Sequence, residues 1–328
     1  MQGKKIISVL LTCMLILVNV AVPSATWAAA SDGQAITKAI GKKVTVTMET
    51  SEGTVKKRIN SGSTIILPPN VNGNGYTFLG WSTISRQSCN PMYQAYEKLK
   101  VTRNIHLYPV KYKWSQEPNI SVDRLADSVN KYSRIIFVGD SRTVMLEGTL
   151  QRQCDSSVFN KVGFVCKTGQ GLAWMMEEGE KMLLNKVGRT GKNTKPVAVI
   201  FNLGVNDLIH RNGTGINYDS IASEYASYMN RLSRKLTSRN CELFYMSVNP
   251  CNTAMKTTRK ESEIRGFNSR LKQRLNSNFT WLNSYSYLMK YGYTTSCEFR
   301  GNADDGLHYS MITYKRIYAY VIKKLQKM

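Results

Sequence analysis

From residue 134 onward, short apolar runs alternate with longer segments that carry apolar residues at helical spacing. The runs predict buried strands at residues 135–138, 161–165, 197–203, 243–248 and 279–282. The segments predict helices at residues 143–153, 172–184, 218–238, 260–275 and 312–326. Apolar strands separated by helices form a parallel sheet that is covered on both faces. Residues 120–328 are therefore predicted to form one α/β domain.

The first predicted strand runs directly into Gly139-Asp140-Ser141-Arg142, and a helix is predicted to follow at once. Ligands of open α/β sheets bind at such carboxyl strand ends. At the start of a helix, unpaired N–H groups and the positive end of the dipole favour developing negative charge. A serine hydroxyl there suits a nucleophile, but Asp and Ser are also ordinary helix caps, so both interpretations stay open.

Two further strand ends carry residues that could face the same crevice. The second strand is followed by a loop with Gly169 and Gly171, where glycine lets the backbone approach a ligand and expose an N–H group. The third strand ends in Gly204-Val205-Asn206-Asp207, and the Asn206 amide could donate to an oxyanion. Ordinary turn formation explains each of these residues equally well when it is taken alone.

A nucleophilic serine needs a base, and the chain has three histidines, His106, His210 and His308. Asp305 precedes His308 by three residues, so its carboxylate can reach one ring nitrogen and leave the other for the serine. Asp207 precedes His210 by the same spacing, which therefore does not decide between the two. His308 is favoured because it lies after the last strand and just before the last helix. His106 lies in a predicted strand without a visible partner, and no chemistry is assigned to it.

The N-terminus has the pattern of a secretory signal peptide. Lys4 and Lys5 precede an apolar run at residues 6–22, and small residues follow up to Ala30. Cleavage is expected after Ala28 or Ala30, so residues 1–30 would be removed and the protein would be secreted, with association to a cell surface as a further expectation. An uncleaved membrane anchor is the alternative, because the run borders on spanning length. No membrane span is expected after cleavage.

The chain of 328 residues has a formal net charge of +23. For an exported protein, this charge favours anionic surface polymers, acidic glycans or lipid headgroups as partners rather than nucleic acid. A diffuse, solvated basic surface is the alternative. Six cysteines follow the signal peptide without a CxxC pair, and histidine is scarce, so no metal and no cofactor are expected. A disulfide between Cys251 and Cys297 is predicted to brace the loop that carries His308.

Residues 43–113 have the alternating pattern and frequent turns of a β-rich unit. Their Gly75-Tyr76-Thr77-Phe78-Leu79-Gly80-Trp81 and the later Asn104-Ile105-His106-Leu107-Tyr108 resemble the internalin-type B-repeat, also called the Listeria–Bacteroides repeat. The resemblance implies a small β-grasp-like domain of bacterial surface proteins that acts in spacing or adhesion. Phe78 and Trp81 are predicted to be core residues. Residues 114–119 are predicted to be a polar linker, and residues 121–132 a short helix.

The motifs at the strand ends resemble, in combination and in order, those of the GDSL/SGNH hydrolase superfamily. The matching blocks are Gly139-Asp140-Ser141-Arg142, Gly169, Gly204-Val205-Asn206-Asp207 and Asp305-Gly306-Leu307-His308. The resemblance covers about residues 134–328. It implies a flavodoxin-like three-layer αβα sandwich with about five parallel strands, and hydrolysis of an ester.

By this resemblance, Ser141 is the nucleophile, His308 the base and Asp305 the residue that orients His308. The oxyanion hole would consist of the Ser141 N–H, the Gly169 N–H and the Asn206 side chain. Gly171 is the alternative to Gly169.

The residue after the serine is Arg142, where the family often has an apolar one. Arg142 is predicted to face an anionic substrate or an internal carboxylate.

Export, a surface-type module and a basic exterior favour a serine esterase that removes acetyl or other small acyl groups from a carbohydrate or cell-wall polymer. A lysophospholipase or short-chain lipase, a non-catalytic surface protein that binds glycans, and an acyltransferase are the alternatives.

Overall fold

The structure, a computed structural model, describes residues 41–70, 75–87, 89–188, 194–210, 215–255, 258–296 and 304–328. The predicted signal peptide, residues 1–30, lies outside the described residues. Within the described ranges, none of the helices has the length and apolar character needed to cross a membrane.

The N-terminal region is built from β-strands, as its alternating sequence predicts. The strands are β1 (Lys43–Thr50), β2 (Gly53–Asn60), β3 (Ser63–Ile66), β4 (Tyr76–Ser82), β5 (Lys98–Val101) and β6 (Ile105–Lys113). Four of them form a sheet in the order β2-β1-β6-β4 with a parallel β1/β6 pair, and β3 pairs with β5. Phe78 and Trp81 are 1% and 0% exposed, which confirms that they are core residues.

The second region contains a five-stranded sheet in which every pairing is parallel. Its strands are β7 (Arg134–Gly139), β8 (Val162–Cys166), β9 (Val197–Asn202), β10 (Cys241–Met246) and β11 (Phe279–Leu282). Their order is β11-β10-β9-β7-β8, the flavodoxin-like order that reverses between β7 and β9. The structure thus confirms the predicted flavodoxin-like sandwich. The reversal places the segments that follow β7 and β9 beside one crevice.

Helices cover both faces of this sheet. They are α1 (Ser141–Gln153), α2 (Leu172–Trp174), α3 (Glu180–Val187), α4 (Tyr218–Thr237), α5 (Glu261–Arg274), α6 (Ser284–Tyr291) and α7 (Met311–Leu325). Alternate residues of β7 pack on opposite faces of the sheet. Ile135 and Phe137 belong to the hydrophobic core that includes α1 and α7, whereas Ile136 and Val138 belong to the core that includes α4 and α5. This alternation explains why the strands are apolar throughout.

Three predicted helical features differ in the structure. The helix predicted at residues 172–184 contains a π-helical segment at Met175–Gly179, which joins α2 to α3. Residues 121–132 form only a short 3-10 turn at Leu125–Ser128. Helix α6 was not predicted, because it has eight residues and its sequence is rich in tyrosine and serine, which are weak helix formers.

The N-terminal sheet is in close contact with the α/β domain. Glu97 forms an ion pair with Arg265 of α5 at 3.1 Å. The ring of Tyr112 packs on Gly292, where a Cβ would lie 2.2 Å from a ring carbon. Ala254, in the loop after β10, packs against the core of the N-terminal sheet. The β-rich region therefore supports one side of the larger domain.

The predicted polar linker contains a buried anchor. The side chain of Glu117 is 2% exposed and pairs at 3.2 Å with Arg316 of α7, which is also 2% exposed. Glu117 also accepts hydrogen bonds from Ser310 at 2.9 Å and from Thr294 and Thr313. The segment between the two regions is thus fixed to the first turn of α7 rather than free in solvent.

We expect Glu117→Ala to lower the free energy of unfolding by about 3–5 kcal/mol, because it leaves Arg316 buried without its charge partner. Denaturant unfolding measures the change. The matched control is Glu178→Ala, which removes a solvent-exposed pair with Lys167 and is expected to cost less than about 1 kcal/mol. Equal losses in the two variants would contradict this account.

Candidate active site

Ser141 is the first residue of α1 and lies directly beyond the carboxyl end of β7. Asp140 caps this helix by accepting a hydrogen bond from the backbone N–H of Arg142 at 2.9 Å. Burial raises the pKa of Asp140 to about 6. Gly139 allows the sharp turn, because a Cβ there would lie 2.0 Å from the hydroxyl oxygen of Thr143. The serine hydroxyl is thereby held at the positive end of a helix.

His308 lies within hydrogen-bonding distance of both residues that the sequence assigned to it. Its Nε2 is 2.9 Å from Oγ of Ser141, and its Nδ1 is 2.6 Å from Oδ2 of Asp305. Ser141 and His308 are buried, whereas the side chain of Asp305 is 36% exposed. Residues 167 positions apart in the chain therefore meet in one hydrogen-bonded row.

Asp305 determines which ring nitrogen of His308 carries a hydrogen. Partial burial would raise the pKa of this carboxyl, but hydrogen bonds from the His308 ring and from the N–H groups of Leu307 and His308 outweigh it and hold the pKa well below its usual range. An ionised carboxylate can only accept, so Nδ1 carries the hydrogen. Nε2 then has a lone pair for the Ser141 hydroxyl. The row can move a proton from serine to histidine.

The other two histidines lie elsewhere. Nε2 of His210 is 2.6 Å from Oε2 of Glu263, and Nε2 of His106 is 2.6 Å from Oε1 of Glu49 in the N-terminal sheet. The spacing that His210 shares with His308 therefore does not lead to the same contacts.

Asn206 follows β9, and both polar atoms of its side-chain amide form hydrogen bonds. Its Oδ1 accepts from Nη2 of Arg259 at 3.0 Å, and its Nδ2 donates to the carbonyl of Gln170 at 2.9 Å. An amide nitrogen has two hydrogens, so one further hydrogen is left for a ligand. Sequence reasoning missed Arg259, because an arginine in a loop has no pattern that indicates its partner.

The two glycines after β8 have different environments. Gly169 is exposed, has a positive φ of 74°, and a Cβ there would meet nothing within 4 Å. At Gly171, a Cβ would lie 2.2 Å from the carboxylate of Asp207. That carboxylate accepts from the N–H of Leu172 at 3.4 Å and from the hydroxyl of Tyr225. Gly171 thus serves packing between two loops, which leaves Gly169 as the glycine with open space around it.

Arg142 donates its hydrogen bonds to backbone carbonyls, which is neither of the two interpretations that the sequence left open. The residue is 3% exposed, and its guanidinium donates to three backbone carbonyls: Leu307 at 3.0 Å, Asn249 at 2.7 Å and Pro250 at 3.0 Å. It also lies over the ring of Tyr309, 4.9 Å from the centroid. A planar group with several fixed donors suits carbonyls that come from two separate loops.

Cys251 is buried and its thiol is free among the described residues; its pairing with Cys297 stays a prediction. Cys297 itself lies outside the described residues. The thiol is 3.3 Å from Nη2 of Arg142, and the backbone N–H of Cys251 donates to Glu261 at 2.5 Å. Burial raises the pKa of Glu261 to about 7. Side-chain contacts to Arg142 and Glu261 therefore hold this loop.

Several solved structures are similar to this chain at low identity and low TM-score. A GDSL-like lipase from Bacteroides thetaiotaomicron is 17% identical, with 60% of this chain and 88% of that one covered and a TM-score of 0.43. A lipase/acylhydrolase from Enterococcus faecalis is 15% identical, with 59% and 96% covered and a TM-score of 0.39. A catalytic mutant of an acetylxylan esterase from Geobacillus stearothermophilus is 12% identical, with 59% and 94% covered and a TM-score of 0.39. No curated protein matches the sequence.

Family models match both regions of the chain. Residues 45–110 match the Listeria-Bacteroides repeat domain, and residues 117–321 match the GDSL-like Lipase/Acylhydrolase family. Both resemblances seen in the sequence are thereby confirmed. With one Listeria-Bacteroides repeat domain in front, the chain belongs to the GDSL-like lipase/acylhydrolase family, whose members hydrolyse ester bonds.

Proposed function

We propose that this protein is a secreted serine esterase that removes acetyl or other small acyl groups from a carbohydrate or cell-wall polymer. The observation that carries the proposal is the row of hydrogen bonds from Ser141 through His308 to Asp305. A hydroxyl, an imidazole and a carboxylate in this order are the groups that nucleophilic ester cleavage requires.

In the first half of the reaction, Oγ of Ser141 attacks the ester carbonyl carbon and its proton passes to Nε2 of His308. Asp305 stabilises the imidazolium that forms, because its low pKa keeps it ionised. The bond to the leaving alcohol then breaks, and the alcohol oxygen takes the proton from His308. In the second half, His308 removes a proton from water, the resulting hydroxide attacks the acyl-serine, and the proton returns to Oγ.

The negative charge on the carbonyl oxygen needs donors during both halves. Ser141 offers its backbone N–H at the first position of α1, Gly169 offers its N–H from an open loop, and Asn206 offers its remaining amide hydrogen. Arg259 acts through Asn206: by donating to Oδ1 it orients the amide nitrogen. The donors of Ser141 and Asn206 are held in place before the substrate arrives, which is how such a site lowers the barrier.

Four observations support a small acyl group on an exported polymer. Ser141 is only 3% exposed, so a short acyl group reaches it more readily than a long chain. The sequence begins with the pattern of a signal peptide, and a repeat domain named for bacterial proteins precedes the hydrolase domain. The net charge of +23 favours approach to anionic polymers.

The reaction class is tested with p-nitrophenyl acetate, and the substrate with a panel of acetylated polysaccharides and peptidoglycan from which released acetate is quantified. We expect the wild type to release acetate from at least one polymer and Ser141→Ala to lose hydrolysis by on the order of 10⁶-fold. Absence of turnover by a folded wild type would favour a glycan-binding protein, and release of fatty acid from lysolipids alone would favour a lipase.

Two substitutions test the supporting groups. Asp305→Asn is expected to lower kcat by on the order of 10³- to 10⁴-fold, because the amide favours the wrong ring tautomer of His308. Asn206→Ala is expected to lower kcat by about 10²- to 10³-fold through loss of an oxyanion donor. Steady-state kinetics on p-nitrophenyl acetate measure both. Unchanged kcat in the Asn206 variant would remove Asn206 from the oxyanion hole.

Arg142→Lys tests whether the guanidinium positions the reacting groups. Lysine keeps the charge but cannot bind three separated carbonyls, so we expect kcat to fall about 10- to 100-fold while KM changes little. Circular dichroism and the unfolding midpoint verify that the variant is folded. A folded variant with full kcat would show that the loops are held without Arg142.

A further inference from the structure

A second concave surface lies on the outside of the α/β domain, between α6 and α7. Its cavity volume is about 750 Å³. The lining residues of α7 run from Arg316 to Lys324 at intervals of three or four, with Lys327 just beyond the helix, and those of α6 run from Ser286 to Tyr291 in the same manner. Such intervals put each set on one face of its helix. We call this surface the α6/α7 groove; neither Ser141 nor His308 is among its lining residues.

The charge of the α6/α7 groove has one sign. Four exposed lysines line it: Lys290, Lys323, Lys324 and Lys327. None of its described lining residues is Asp or Glu. Arg316 also lines the groove, but its guanidinium forms an ion pair with the buried carboxylate of Glu117. The lysines repel one another, and an anion between them relieves this repulsion. The groove is therefore complementary to a ligand with several negative groups.

Tyrosine rings lie beside the lysines: Nζ of Lys290 is 5.0 Å from the ring centroid of Tyr291, and Nζ of Lys324 is 5.8 Å from that of Tyr320. The ring of Tyr287 is 4.7 Å from that of Tyr320 and 5.1 Å from that of Tyr291, measured between centroids. Tyr291 is 50% exposed, and Tyr287 and Tyr320 are partly exposed. A tyrosine offers a flat apolar face together with a hydroxyl, which suits a ring that has apolar faces and polar edges. Pyranose rings have this character, whereas a plain polyanion has no such ring.

The lysines of α7 in the α6/α7 groove are distant from His308. Helix α7 begins three residues after His308, at the carboxyl edge of the sheet, and runs back toward the opposite edge. At 1.5 Å per residue, Lys323 and Lys324 lie roughly 20 Å along the helix from its first residue. A polymer could therefore occupy the groove while the serine acts on another part of it.

We propose that the α6/α7 groove binds a carboxylated polysaccharide, with lysines on the carboxylates and tyrosines against the sugar rings. This site is separate from the ester-cleaving site and does not depend on it. Binding holds the protein on an acidic polymer, whatever bond Ser141 cleaves. Because the lysines are exposed, their contacts with carboxylates weaken as salt rises.

The test measures binding of the full chain to polygalacturonate by isothermal titration calorimetry. Dextran serves as the neutral polysaccharide, polyacrylate as a carboxylated polymer without sugar rings, and phosphatidylglycerol vesicles as an anionic surface. The groove variant carries three substitutions together, Lys323→Gln, Lys324→Gln and Lys327→Gln. Its matched control, which carries Lys181→Gln, Lys186→Gln and Lys272→Gln, removes three exposed lysines elsewhere in the same domain. Both keep the residues of the ester-cleaving site.

We expect the groove variant to bind polygalacturonate about tenfold more weakly and the control to change less than about twofold. Tyr291→Ala is expected to weaken binding of polygalacturonate but not of polyacrylate, and Tyr291→Phe to keep it. Unfolding midpoints verify the fold independently of any esterase activity.

Three results would overturn the proposal. Equal losses in the two lysine variants would show a diffuse charge effect. Equal affinity for polyacrylate, without an effect of Tyr291→Ala, would show that sugar rings are not recognised. Binding to vesicles but not to polygalacturonate would assign the groove to a lipid surface. Because none of these readouts uses ester hydrolysis, they separate failure of the groove from failure of the esterase assignment.

Discussion

The buried guanidinium of Arg142 joins the parts of the chain on which the active site depends. It directly follows Ser141, and one of its acceptors is the carbonyl of Leu307, which directly precedes His308. Its other carbonyl acceptors, Asn249 and Pro250, belong to the loop after β10. A short chain of covalent and hydrogen bonds thus connects the serine to the histidine. A buried charge is costly unless its donors are satisfied, so this arrangement tolerates little displacement of either loop.

A second buried ion pair extends this support to the N-terminal region. Glu117 lies four residues after β6, the last strand of the β-rich unit. Its carboxylate pairs with Arg316 and also accepts a hydrogen bond from Ser310, the N-cap of α7. Ser310 is two residues beyond His308. The carboxylate therefore ties the junction of the two regions to the helix that follows the base. The segment that joins the two regions is in this respect part of the framework around the site.

Sequence reasoning succeeded where a property is local or periodic. The apolar runs predicted the five strands of the parallel sheet, because a strand that is buried on both faces needs apolar residues at every position. Parallel strands bring their carboxyl ends to one edge, so Gly139-Asp140-Ser141 and Asn206 could be assigned to one crevice before any coordinates. Helix α6 escaped prediction because a short helix is stabilised by its packing rather than by its own propensity.

The sequence by itself determined the order of the elements, the class of the fold and the family, since these follow from hydrophobic periodicity and from short motifs at strand ends. Only the tertiary structure decided which partners distant side chains meet. It separated His308 from His210, directed Arg142 toward backbone carbonyls, placed Arg259 behind Asn206 and brought Tyr287 of α6 against Tyr320 of α7. The physical reason is that such contacts depend on how separate helices and loops pack in space, and residue spacing along the chain carries no record of that packing.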